Sequence, residues 1–135
     1  MTVVASPFVD TNALLYLLSS DETKADRAEA LLSGRIVISV QVLNEFLNVA
    51  RRKVGLPWPA VEQALIDVQR FADVRPLTLA THHQGLALAK RYQLNVYDAM
   101  IVAAALEAGC TTLASEDFSH GRRFDGRLTV RNPFA

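Results

Sequence analysis

The sequence predicts an α/β fold built on a short, largely parallel sheet. Two observations carry that expectation. Short apolar runs of strand length alternate with longer stretches of helical periodicity, the pattern of strand–helix–strand units. The chain has 135 residues and is 50% hydrophobic, enough for one core of ordinary domain size. No internal repeat, low-complexity segment or linker divides it. A single domain over residues 1–135 is therefore expected.

Pro7-Phe8-Val9 is the first strand, handing over at Asp10-Thr11-Asn12 to a helix at Ala13–Leu18. Ser19–Thr23 is polar and reads as a loop. Lys24–Leu32 places Ala25, Ala28, Leu31 and Leu32 on one helical face, and Gly34 suits its stop. Ile36-Val37-Ile38 is a buried-type strand, and Ser39 can cap the helix beginning near Gln41. On that helix Val42, Leu43, Phe46, Val49 and Ala50 form an apolar stripe. Glu45 falls about 100° from Phe46, at the stripe's edge. Arg51-Arg52-Lys53 closes the helix, where cations suit its dipole.

Gly55–Pro59 breaks the chain, with Pro59 suited to a first helical position. Val61, Leu65, Val68 and Phe71-Ala72 mark the next helix. Asp73–Leu77 is a third strand that Pro76 ends or confines to an edge. Ala80–Tyr92 is a helix carrying Leu86, Ala89 and Tyr92 inward. Val96–Leu106 is apolar almost all round, hence buried, and Gly109 stops it. Thr112-Leu113-Ala114 is a strand running into Ser115-Glu116-Asp117, and Leu128-Thr129-Val130 is the last.

Lys plus Arg and Asp plus Glu number 14 each, so any nucleic-acid contact must use a local patch and be weak and salt-sensitive. The single Cys110 excludes an internal disulfide and fits a reducing compartment. No stretch resembles a targeting segment or a membrane helix, so a cytoplasmic protein without membrane contact is expected.

The chemistry lies in four acids. Asp10 and Asp117 follow strands, and ligands of open parallel sheets bind beyond the strands' carboxyl ends. Asp98 opens the apolar helix, and Glu45 lies within the first two turns of a helix that follows a strand. The topology allows all four to converge. Converging carboxylates repel, and a hard divalent cation resolves that repulsion. One Cys and three scattered His give no zinc spacing. All-carboxylate ligation suits Mg²⁺ or Mn²⁺ and points to phosphate chemistry, with one or two ions. Each acid also has an ordinary reading: Asp10 and Asp98 as helix caps, Glu45 as a solvated edge charge, Asp117 as a turn residue.

Val9–Tyr16, Val42–Phe46, Tyr97–Ala105, Ser115–Phe118 and the closing Asn132-Pro133-Phe134 together resemble the PIN-domain family, and within it the VapC-type toxins of toxin–antitoxin pairs. The resemblance covers essentially the whole chain. It implies a three-layer α/β/α sandwich and a Mg²⁺- or Mn²⁺-dependent endoribonuclease acting through Asp10, Glu45, Asp98 and Asp117. Asp10 and Asp98 would ligate the principal metal, Asp117 directly or through water, and Glu45 would hold a second metal or orient the attacking water. Thr11, Asn12 and Ser115 would be polar supports. It further implies a homodimer, an RNA substrate and a cognate antitoxin whose C-terminal segment lies over the toxin.

Arg122, Arg123 and Arg127, soon after Asp117, are candidate RNA-phosphate contacts. Trp58, between two prolines, is a core plug or an exposed dimer or partner contact. His82, His83 and His120 are surface residues. A phosphohydrolase with Asp10 as nucleophile fits less well, because position 12 is Asn and the Asp-x-Asp arrangement fails. A receiver-like domain lacks the paired acids and a Lys partner. A solitary PIN nuclease in RNA processing and an inactive protein-binding module are the remaining alternatives.

Overall fold

The computed structural model describes residues 6–31 and 34–134. Among these, β1 (Phe8–Val9), β2 (Ile36–Ser39), β3 (Ala72–Arg75), β4 (Thr112–Ala114) and β6 (Leu128–Arg131) run parallel, and β5 (Arg123–Phe124) is antiparallel at an edge. The order is β3-β2-β1-β4-β6-β5. The chain thus builds outward from β1 on one side, then crosses to the other at β4. That crossing is a topological switch point, where an open α/β sheet leaves a crevice beyond its carboxyl edge.

The helices are α1 (Thr11–Leu15), α2 (Glu22–Leu31), α3 (Val40–Val49), α4 (Trp58–Phe71), α5 (Leu79–Tyr92) and α6 (Val96–Glu107). α5 packs on α6, which crosses β2, while α1, α3 and α4 make the second helical layer, giving the expected three-layer α/β/α sandwich. β1 and β2 are buried at every position, as strands covered on both faces must be. Phe8, Ile36, Ile38, Leu113, Leu128 and Val130 have no exposed surface, and burying each such side chain stabilises by roughly 1.5–3 kcal/mol. No helix among the described residues is long and apolar enough to cross a membrane.

Several local expectations shift. α1 begins at Thr11, two residues early, and its last turn tightens to a 3₁₀ turn at Tyr16–Leu18. The helix expected through Leu32 lies partly outside the described residues. α3 runs on into a π turn, Ala50–Val54. α4 starts at Trp58 with Pro59 second, and Ala72 belongs to β3. β3 ends at Arg75, before Pro76, on the sheet's edge. β5 is absent from the sequence reading. Its turn holds Asp125 at φ 52 and Gly126 at φ 66, the left-handed pair that an Asp-Gly hairpin supplies.

Leu86 is a correction: it faces solvent. The inward face of α5 is Thr81, Gly85 and Leu88, whose small and polar members hide the helical phase from a hydropathy reading. Gly85 lets α6 approach closely, since a Cβ there would stand 2.5 Å from Met100 Sδ. His82, His83 and His120 are exposed as expected.

On α6, Ala99 and every residue from Ile101 to Leu106 are buried. The alanines at 103, 104 and 105 set how closely this helix lies against its neighbours. Ala103→Leu is therefore expected to lower the urea midpoint by the equivalent of about 1–3 kcal/mol. An unchanged midpoint in equilibrium unfolding would contradict that packing.

Candidate metal centre

Asp10 is the residue just beyond β1. Its backbone N–H donates to the Ala114 carbonyl at 3.0 Å, continuing the ladder to β4. The side chain is only 3% exposed. Its Oδ1 accepts from the Thr11 N–H at 2.7 Å and its Oδ2 from Ser115 Oγ at 2.8 Å. The capping reading of Asp10 is thus also met, since it is the N-cap of α1. Burial pushes its pKa up to about 6, the Ser115 and Thr11 hydrogen bonds oppose the rise, and the charges of Asp117 and Glu45 add to it.

Ser115 and Asn12 tie the two strand ends together. Ser115 Oγ accepts from the Asp117 N–H at 3.0 Å. Asn12 Oδ1 accepts from the Glu116 N–H at 3.1 Å, and its Nδ2 lies 3.4 Å from both Asp10 Oδ2 and Ser115 Oγ. The Asp117 side chain projects from this turn and is exposed.

Glu45 is held at both oxygens. Thr11 Oγ1 donates to Oε2 at 2.9 Å and Gln41 Nε2 to Oε1 at 2.7 Å. Gln41 Nε2 also donates to the Tyr97 carbonyl at 3.1 Å, which joins α3 to the first turn of α6. Asp98 stands in that turn but does not cap it. Asn95 does, accepting from the Asp98 N–H at 2.9 Å and donating Nδ2 to Asp98 Oδ2 at 2.8 Å. Partial burial, then Asp117, raise the Asp98 pKa; Asn95 opposes this and Glu45 adds to it.

Asp117 and Glu45 therefore each press on both Asp10 and Asp98. Among the described residues none of the four acids forms an ion pair with Lys, Arg or His. Nor do three acidic, Cys or His side chains already close around one point as ligands would. The donor set is nonetheless all carboxylate, the chemistry of Mg²⁺ and Mn²⁺ sites, and a divalent charge is what its repulsion lacks. The residues fit such an ion in kind.

The three arginines make other contacts. Arg122 lies over the Phe124 ring at 4.8 Å, Arg123 donates to the Gly126 carbonyl at 2.7 Å, and Arg127 reaches the Leu106 carbonyl at 3.4 Å. Leu106 lies about 12 Å along α6 from Asp98. Among the described residues none of the three forms an ion pair with an acid. Gln41 and Asn95 are residues the sequence reading missed. Each had a signal: Gln41 is four before Glu45 on the same helical face, and Asn95 is three before Asp98, a capping spacing.

The PIN-domain family profile matches residues 8–123. The chain belongs to the PIN-domain family. No curated protein matches the sequence. Solved structures show that this PIN domain has a fold of the VapC type. A toxin–antitoxin complex from Klebsiella pneumoniae is similar with TM-score 0.73 and 20% identity, over 95% of this chain and 98% of that one. VapBC2 from Rickettsia felis, bound to a DNA fragment of its promoter, gives 0.69 and 17% over 95% and 98%. VapC20 of Mycobacterium tuberculosis, a toxin that cleaves the sarcin–ricin loop, gives 0.63 and 19% over 80% and 87%.

The raised Asp10 pKa has a definite consequence for the metal-free PIN domain. Its folded pKa lies near 6 against an ordinary 3.8, so the folded state binds the extra proton and gains stability as pH falls through about 6 towards 4. At neutral pH the ionised group costs on the order of 2–3 kcal/mol. Asp10→Asn is expected to raise the melting temperature in chelator at about pH 7, with the advantage shrinking towards about pH 4. Thermal melts of both proteins across that range check the sign.

Proposed function

We propose that the chain is a metal-dependent endoribonuclease and the toxin of a toxin–antitoxin pair. The observation that carries the reading is a buried Asp10 at the sheet's switch point, pressed by two further acids, with no cation paired to it among the described residues. Family membership and the VapC-type fold support it.

Asp10 and Asp98 would hold the principal Mg²⁺ or Mn²⁺, with Asp117 directly or through water and Glu45 at a second position. The bound ion supplies positive charge to the scissile phosphate and lowers the pKa of a bound water. The protein's own part is positional. Ser115 and Thr11 hold the Asp10 carboxylate in one orientation. Thr11 and Gln41 hold Glu45, which would orient the attacking water. Attack on phosphorus breaks the bond to the 3′ oxygen, leaving a 5′-phosphate and a 3′-hydroxyl.

The similarity to toxin–antitoxin complexes supports a cognate antitoxin as partner. A homodimer acting in the cytoplasm completes the proposal. An antitoxin side chain bearing positive charge suits the uncompensated acids, because it would take the place a metal otherwise holds.

The purified chain is expected to cleave RNA in Mg²⁺ or Mn²⁺, and Asp98→Asn to lose cleavage by at least about a hundredfold while keeping its circular dichroism. Undiminished cleavage by Asp98→Asn, or in excess EDTA, would falsify the mechanism. Independently of activity, Mn²⁺ should raise the melting temperature of the wild type by binding the folded state, and raise that of Asp10→Asn less. Equal shifts for both proteins in a Mn²⁺ titration would remove Asp10 from the site.

A further inference from the structure

We propose that the exposed face of α3 is a track for single-stranded RNA, leading from the acids to a base-stacking platform at Trp58; this rests on the nuclease reading and deepens it. Two open cavities, about 840 and 420 Å³, lie along that face. The first is lined by Glu45 and Tyr97, the second by Arg52 and Trp58, and Asn44 and Asn48 line both. The spacing 44, 48, 52 keeps these side chains on one side of the helix. From Gln41, which touches the Tyr97 carbonyl, to Arg52 the track runs roughly 16 Å, a length for a few nucleotides.

Each member has a property that the fold does not use. Asn44 and Asn48 are exposed and make no side-chain hydrogen bond among the described residues. Asn is a poor helix former, so two of them on one helical face weaken α3 without serving it. Arg52 is exposed and unpaired among the described residues. Trp58 is 54% exposed, yet its ring is held. Arg51 lies over it at 4.3 Å and donates to the Leu56 carbonyl at 2.8 Å, and Pro57 and Pro59 stiffen the chain on either side. The π turn at Ala50–Val54 carries Arg51. Tyr97, beside Asp98, is 71% exposed.

An aromatic face at each end, free amides between them and an unpaired cation match the needs of unpaired RNA. Bases stack on aromatic rings and on guanidinium planes, amides bond base edges, and cations meet phosphates. Beside Leu47 and Trp58 the second cavity offers two amides, Asn44 and Asn48, and two guanidinium groups, Arg51 and Arg52, the groups that bond base edges and meet phosphates. A chain with equal numbers of acids and bases also needs such non-ionic contacts to hold an anionic substrate beside four carboxylates.

Trp58 is the single tryptophan, so its fluorescence reports the platform alone. The full chain, held in EDTA to prevent cleavage, is titrated with a short unstructured oligoribonucleotide, and anisotropy of a dye on the RNA follows binding separately. Saturable quenching of Trp58 is expected, with binding roughly tenfold weaker in Trp58→Ala and several-fold weaker in Asn48→Ala and Arg52→Ala. In cleavage assays Asn48→Ala should raise KM while leaving kcat unchanged. RNA binding without a Trp58 response, together with an unmoved KM in Asn48→Ala, overturns the track and leaves the nuclease reading intact. Quenching by RNA in a chain that cleaves none overturns the nuclease reading and leaves the track. If Trp58→Ala or Arg52→Glu instead dissociates a dimer in sedimentation while KM stays unchanged, the face binds protein and the track is overturned.

Discussion

The site depends on a carboxylate that the fold forces indoors. Asp10 occupies the register position immediately after β1, between β2 and β4, at the point where the sheet's connections change direction. It cannot move to solvent without breaking its backbone bond to Ala114 and its side-chain bond from Ser115. A charge so placed is unfavourable unless compensated. The protein supplies hydrogen bonds rather than a cation, which stabilise the carboxylate in part and orient it without neutralising it. That leaves a geometry suited to an external positive charge.

The other three acids arrive by three different routes, and each is positioned by a neighbour of no catalytic chemistry of its own. Glu45 depends on Thr11 and Gln41, Asp98 on Asn95, and the Asp117 backbone on Ser115. Gln41 has a second role, because its contact with the Tyr97 carbonyl sets α3 against α6. The small residues of α6 and Gly85 of α5 allow the close packing that holds Asp98 in place. A large side chain in that layer would move the site as well as strain the core.

The far end of the sheet shows a different economy. Asp125 accepts from Arg91 and from Tyr92, and Tyr92 packs edge-on to Phe124 at 5.0 Å. These contacts pin the β5–β6 hairpin to the end of α5. Phe124, Leu128 and Val130 bury the hairpin's apolar side completely, while Arg122 lies over the Phe124 ring and Arg123 bonds the Gly126 carbonyl of the turn.

By itself the sequence determined the α/β class, the parallel strands, the buried α6 and the place of Asp10 at a strand end. Those are properties of local periodicity and of which residue type follows which strand, and they require no knowledge of partners. Only the tertiary structure decided the rest: the inward face of α5, the hairpin at Asp125-Gly126, the capping of α6 by Asn95, and the clamp of Thr11 and Gln41 on Glu45. Each of these depends on residues distant in the chain or on small and polar side chains that carry no hydrophobic signal. Packing selects among conformations that the local sequence leaves nearly equal in energy, so such features become definite only when the layers close.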